Sequence, residues 1–248
     1  MATKRKAVEG GTKPKEALRL SREEERARIL ELVTRLARGK EKRTFSWQGR
    51  VTSVQPRIRL TRSFDQSSHT YLGYALRIDG TIGDDKREFW VGIGGAAHAK
   101  HRLEIGVLAS GECQFVSDPR LETVEYYKVA RLKIEESTGS PEPSSSPPWR
   151  GVPPELPLYR ERGHRRLAPQ TYTASCSSCK WGCNMAVEMI IDQWNPTNRR
   201  YRTETFCYGP KSCSLYKAGP KRVVPGRKGM RWVEEDWVDE EATSHRED

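Results

Sequence analysis

The chain has 248 residues, 35% hydrophobic and 31% charged, with a formal net charge of +11 and a mean hydropathy of -0.80. That length suits one or two domains with tails, and no run approaches the roughly 18 apolar residues of a membrane-spanning helix. The basic start MATKRKAVEGGTKPK leads into no apolar stretch, so it does not read as a secretory signal, and the expectation is a soluble, cytoplasmic protein.

The charge is unevenly placed. Residues 1–43 carry +7, residues 44–135 only +2, residues 136–170 +1 and residues 171–229 +7, whereas the tail 230–248 carries -6. Two basic blocks around a near-neutral middle point to a polyanion, because each phosphate contact releases counterions. The same charges would also make a plain solvated surface. Charge proposes nucleic acid without establishing it.

Residues 1–14 read as a basic arm without periodicity. Ser21 and Glu24 have the spacing of a capping box, and Ile29, Leu32, Val33 and Leu36 follow at helical intervals up to Gly39. The spacing predicts one amphipathic helix in 1–43, packed on the next domain or on a protein partner.

Residues 44–135 read as strands with one helical interruption. Phe45–Leu60 is β-rich, Ser63–Thr70 is polar and loop-like, and Tyr71–Ile78 alternates at period two before the turn residues Asp79-Gly80 and Gly83-Asp84. Phe89, Val91 and Ile93 alternate again, Ala96–Leu103 is helix-like, and Val107–Val116 and Tyr126–Ile134 supply two more strands. His98 and His101 share one helix face without a further ligand, and Cys113 sits alone in a strand as a small buried hydrophobe. Three strands, a short helix and two strands resemble the OB fold, a five-stranded Greek-key barrel; another small barrel or a sandwich has the same inventory. The resemblance implies a binding face on the second and third strands, where Tyr71, Arg77 and Trp90 would project opposite the core, joined by Arg57, Arg59 and Arg62 of the first. Bases stack on rings while phosphates pair with cations, although Tyr71 and Trp90 would serve equally as packing under the N-terminal helix.

Residues 136–170, rich in Pro and Ser, read as a linker. Beyond it, Cys176, Cys179, Cys183, Cys207 and Cys213 fall within 38 residues. In a reducing compartment such clustering points to metal. Ala186–Trp194 and Arg199–Phe206 read as two strands around the turn Asn195-Pro196-Thr197-Asn198, a hairpin that brings Cys176 and Cys179 toward Cys207 and Cys213, where four thiolates suit tetrahedral zinc. This resembles a zinc ribbon, with departures: the second pair has a five-residue spacing and Cys183 is surplus. An iron–sulfur cluster that includes Cys183, or unmetallated thiols, remain alternatives. Trp194 is expected to cover the metal. Arg199, Arg200 and Arg202 with the rings around the hairpin, then Lys221, Arg222, Arg227 and Lys228, form a second candidate nucleic-acid surface.

No nucleophile motif, zincin motif or P-loop occurs, so an active site is not visible. The fold class expected is mainly β with an N-terminal helix: an OB-like barrel (44–135), a linker (136–170), a zinc-ribbon-like module (171–229) and an acidic tail (230–248) free to fold back on the basic surface. The function expected is binding of single-stranded RNA or DNA, an arrangement that loosely resembles nucleic-acid-associated proteins joining an OB fold to a zinc ribbon. The alternatives are a protein-interaction scaffold on transcription or translation machinery and an iron–sulfur redox protein.

Overall fold

Period-two alternation of Val, Ile, Leu and aromatic residues builds the strands, as the sequence predicts. In the computed structural model, which describes residues 43–135, 146–195 and 197–248, the protein is mainly β. Strands β1 (Thr44–Arg62), β2 (Ser67–Ile82) and β3 (Asp85–Ile93) lead into helix α1 (Gly95–His101), then β4 (Leu108–Phe115) and β5 (Tyr126–Glu135). The rest of the chain supplies α2 (Leu156–Arg162), β6 (Arg165–Arg166), β7 (Gly182–Ile190), β8 (Arg199–Cys207), β9 (Arg222–Pro225), β10 (Arg231–Glu234) and α3 (Asp236–Thr243). The N-terminal arm and helix expected in 1–42 and the linker residues 136–145 lie outside the described residues. Among the described residues, no helix is long and apolar enough to cross a membrane.

An eight-stranded sheet runs β2-β3-β5-β4-β1-β7-β8-β6, and β2 also pairs with β1, so the ladder β1–β2–β3–β5–β4 returns to its start. The 19 residues of β1 make this possible. Its first part, Thr44–Arg50, pairs antiparallel with β4, and its last part, Arg59–Arg62, pairs parallel with Ala186–Met189 of β7. A strand of that length must bend, and the β1–β2 register slips between Val51 and Ser53 and again between Arg57 and Ile58. At the second slip Leu72 is the extra residue, beside Gly73 at φ +122, where a Cβ would run into the Ile93 carbonyl.

This sheet corrects the expected division. The cysteine-bearing segment is not separate from the first five strands: Cys183, Met185, Val187, Phe206 and Tyr208 of the β7–β8 hairpin share one core with Val54, Ile58, Leu76 and Phe89. Nor is 146–170 a linker. Tyr159 and Leu167 are fully buried, and the Tyr74 hydroxyl donates to the Pro154 carbonyl at 2.7 Å. The tail is docked rather than free. β10 pairs with β9, and α3 delivers Asp239 to the buried Arg166, whose Nε donates to it at 2.9 Å.

Candidate nucleic-acid interface and cysteine cluster

A helical turn, Tyr172–Cys176, carries the chain into the first cysteine pair. The Cys179 amide donates to the Cys176 carbonyl and the Gly182 amide to the Cys179 carbonyl, both at 3.0 Å. Gln55 of β1 fixes this turn from outside. Its Nε2 donates to the Cys176 and Cys179 carbonyls at 2.8 and 2.9 Å, while its Oε1 accepts from the Tyr172 hydroxyl at 2.7 Å. Gly182 lies opposite Cys207 in the β7–β8 register, which brings the second knuckle to the first.

Cys176, Cys179 and Cys207 pack together with Leu167. Burial pushes the Cys176 thiol up to about 12, and Cys179, Cys207 and Cys213 push it the same way. Cys179 rises to about 11 through burial, against the pull of backbone hydrogen bonds to Trp181, Trp149 and Gly182. Cys207 also rises on burial, and its Sγ accepts from the Gly209 amide at 3.4 Å. Without a cation these thiols stay neutral. Among the described residues, no three His, Cys, Asp or Glu side chains stand in a metal-holding arrangement. Cys183 is directed elsewhere: it lies in the main core and its Sγ donates to the Pro56 carbonyl at 3.3 Å. Cys113 is buried in β4, as expected of a small hydrophobe. His98 is also structural, with Nε2 3.1 Å from the Pro153 carbonyl and its ring 3.9 Å from that of Tyr74.

The expected binding face divides in two. The extra residue at Leu72 reverses the alternation, so Tyr71 pairs with Ile58 and packs against the core, under the Arg160 guanidinium at 4.9 Å. Arg77 and Trp90 do lie opposite each other, with the guanidinium 5.8 Å from the indole. The β1 cations are taken up internally. Arg57 lies across Gly92, where a Cβ would overlap its guanidinium, and it faces Glu122 at 3.4 Å; Arg59 holds the same carboxylate at 3.1 Å. Arg62 is buried and grips both oxygens of Glu234 at 2.9 Å.

The second basic block divides likewise. Arg222 is buried against Glu204 at 2.9 Å, which also bonds Arg202; Arg199 pairs with Glu188 at 2.7 Å; Lys221 pairs with Glu235. Arg62 and Arg222 are therefore corrected from surface contacts to members of a buried Arg–Glu cluster. Arg200, Arg227 and Lys228 are exposed and, among the described residues, enter no salt bridge. With Arg231 they surround a groove of about 450 Å³ between the β7–β8 tip and the β9–β10 loop.

Trp194 does not cover the cysteines. β7 ends at Ile190, eight residues beyond Gly182, so Trp194 belongs to the far turn, where its amide donates to the Asp192 carboxylate at 3.0 Å and its side chain is 85% exposed. The signal was present in the sequence: Asp192 through Asn198 is rich in turn formers, and the turn begins three residues earlier than Asn195. The role of Gln55 carried no such signal, since its partners lie more than 100 residues away. Searched against family models, curated proteins and solved structures, the chain matches none.

Proposed function

We propose that the protein binds single-stranded nucleic acid, RNA or DNA, through the tip of the β7–β8 hairpin and the groove beside it. One observation carries this reading: an 85% exposed tryptophan at the tip that also supplies Arg200 to a groove lined by Arg227, Lys228 and Arg231. A ring open to solvent offers a stacking platform for any base, and unpaired guanidinium and ammonium groups offer phosphate contacts. The closed ladder β1–β2–β3–β5–β4, with α1 between β3 and β4, supports an OB-like barrel as the frame. We further propose a zinc-ribbon-like base in which Cys176, Cys179, Cys207 and Cys213 hold structural zinc. The packing of Cys176, Cys179 and Cys207 around Leu167, the electrostatic influence of Cys213 on Cys176, and the Gly209 amide on Cys207 support that ligand set. Zinc would supply the charge that lets these thiols ionise.

Fluorescence anisotropy of a labelled single-stranded oligonucleotide across a salt series tests the reading. Affinity should fall steeply with salt, Trp194→Ala should weaken binding by roughly 1–3 kcal/mol, and replacing Arg200, Arg227 and Lys228 by Ser should flatten the salt slope by about 0.7 per contact. Binding that ignores both salt and these variants would instead favour docking to a protein partner.

A further inference from the structure

A second site lies at the other end of the hairpin. A cleft of about 240 Å³ opens between the β1–β3 face and the turn that carries the first cysteine pair, lined among others by Arg77, Trp90, Tyr172, Ser177 and Asn184. It is smaller than the roughly 300–1,000 Å³ of pockets for drug-sized ligands, so it can enclose one compact planar group and leaves any substituent of that group at its open mouth. Asn184 lies six residues along β7 from Ile190, on the order of 20 Å, so the cleft and the tip are separate.

Three features of the cleft converge on one ligand chemistry. Trp90 offers a half-buried indole for stacking. Arg77 stands beside it: its Nε donates to the Thr52 hydroxyl at 3.0 Å and lies 3.7 Å from the half-exposed Glu88 carboxylate, so the terminal nitrogens of the guanidinium keep donors for an anion. The Oδ1 of Asn184 is buried and, among the described residues, has no hydrogen-bond partner. A buried acceptor left unmade is costly, by about 1–3 kcal/mol, and a ligand N–H would satisfy it. The other amide at the cleft, Gln55, is fully engaged with Tyr172 and the cysteine turn, so of the two amides Asn184 is the one available to read a ligand edge.

We propose that this cleft binds a single nucleotide unit: the base stacked on Trp90, an N–H of its edge donated to Asn184, and its phosphate paired with Arg77. The unit is either a free nucleotide or one unstacked residue of a strand. The inference stands on the cleft alone and does not require the tip to bind nucleic acid.

The test is a titration of the full ¹⁵N-labelled chain with AMP, CMP, GMP and UMP in turn, observing the Asn184 side-chain amide, assigned by its loss in Asn184→Leu. At least one nucleotide should shift that resonance saturably. Asn184→Leu and Trp90→Ala, checked for unchanged thermal melting, should each weaken binding at least tenfold. A single-stranded hexamer producing the same shift identifies a residue of a strand as the ligand, whereas a shift with monophosphates alone identifies a free nucleotide. If none of the four nucleotides moves the Asn184 amide, or inorganic phosphate reproduces the whole effect, the cleft is not a nucleotide site. An unmoved Asn184 amide alongside salt-dependent oligonucleotide binding would remove this inference and leave the hairpin-tip reading intact.

Discussion

At its base the β7–β8 hairpin is held from every side. Gly182 and Cys207 face each other, Gln55 clamps the cysteine turn by two carbonyls, and Arg166 beneath β8 is fully buried among Asp239, Asp236 and the Glu234 carbonyl. At the far end the turn exposes Trp194, and Arg200 joins Arg227, Lys228 and Arg231 of the β9–β10 loop around an open groove. Both ends are basic and aromatic in sequence, yet the base matches its charges internally, whereas beyond the Arg199–Glu188 pair the groove's Arg200, Arg227 and Lys228 enter no salt bridge among the described residues. An arginine paired with a buried carboxylate holds the fold and is lost to a polyanion; one without such a partner remains available to it. The comparison predicts that changes at the base cost stability and changes at the tip cost binding.

The largest effect expected is at the cysteines. Structural zinc in small peptides contributes apparent binding free energies of about 10–16 kcal/mol. Because β7 is paired with β1 and Ser53 also bonds the Ser177 carbonyl, the cysteine segment should not melt by itself. Cys176→Ser or Cys207→Ser should abolish zinc binding and lower the melting temperature of the whole 43–248 unit in a single transition. Cys183→Ser should retain stoichiometric zinc by metal analysis, since that thiol bonds Pro56 in the other core. Zinc lost equally from Cys183→Ser and Cys176→Ser would break this account of the base and return the iron–sulfur reading.

Next in size is the Arg–Glu cluster. Glu234→Ala leaves Arg62 without its bidentate partner and removes a second carboxylate from Arg222. Breaking a buried pair from one side costs about 3–5 kcal/mol, measurable by chemical denaturation, while oligonucleotide affinity of the folded fraction should not change. Deleting 230–248 would likewise strip Glu234 and Asp239 from the buried Arg62 and Arg166, so it should destabilise the fold as well as remove acidic charge.

How much of this was legible in the sequence follows from the range of each interaction. Strands β1 to β5 and helix α1 follow from alternation and turn residues, which are local, and their order is recovered. The hairpin is legible, and its tip is misplaced by three residues when Trp194 is weighed as a strand former over the turn formers from Asp192 to Asn198 around it. What sequence could not show is which cations are matched. Arg62 meets Glu234 across 172 positions and Arg166 meets Asp239 across 73, so an arginine and its carboxylate look like unrelated charges. The linker reading failed for a related reason: Tyr159, Leu167 and Arg166 are isolated anchors in a Pro-rich text, and each finds its partner far away. Tyr71 was misassigned by a single inserted residue, since one slip in register moves every side chain beyond it to the other face.

The smallest effect per unit change concerns protons, and it sharpens the comparison between the two ends. His69 and His164 lie with their rings 4.8 Å apart, and His164 packs edge-on against Phe206 of β8. Burial, and after it the positive charge of Arg62, pulls His69 down to about 4; burial, His69, Arg62 and Arg222 hold His164 well below the ordinary histidine value. In the unfolded chain both titrate near 6.5. Between that value and about 4 the unfolded state binds more protons than the folded one, so stability is complete above pH 6.5 and declines as the solution is acidified. The slope is about 1.4 kcal/mol per pH unit for each histidine once the pH is below 6.5. Asp118, held below its usual value by hydrogen bonds from Arg120, and Asp248, where burial pushes up but Arg162 and Arg246 together pull further down, add to the loss only at more acidic pH. Denaturation at pH 7.5, 6.5 and 5.5 should therefore show a flat segment followed by a fall, and His69→Phe should reduce the slope of that fall. A flat profile down to pH 5 would mean that these rings accept protons in the folded protein, and that Arg62 and Arg222 beside them are more open to solvent than their buried pairs with Glu234 and Glu204 imply.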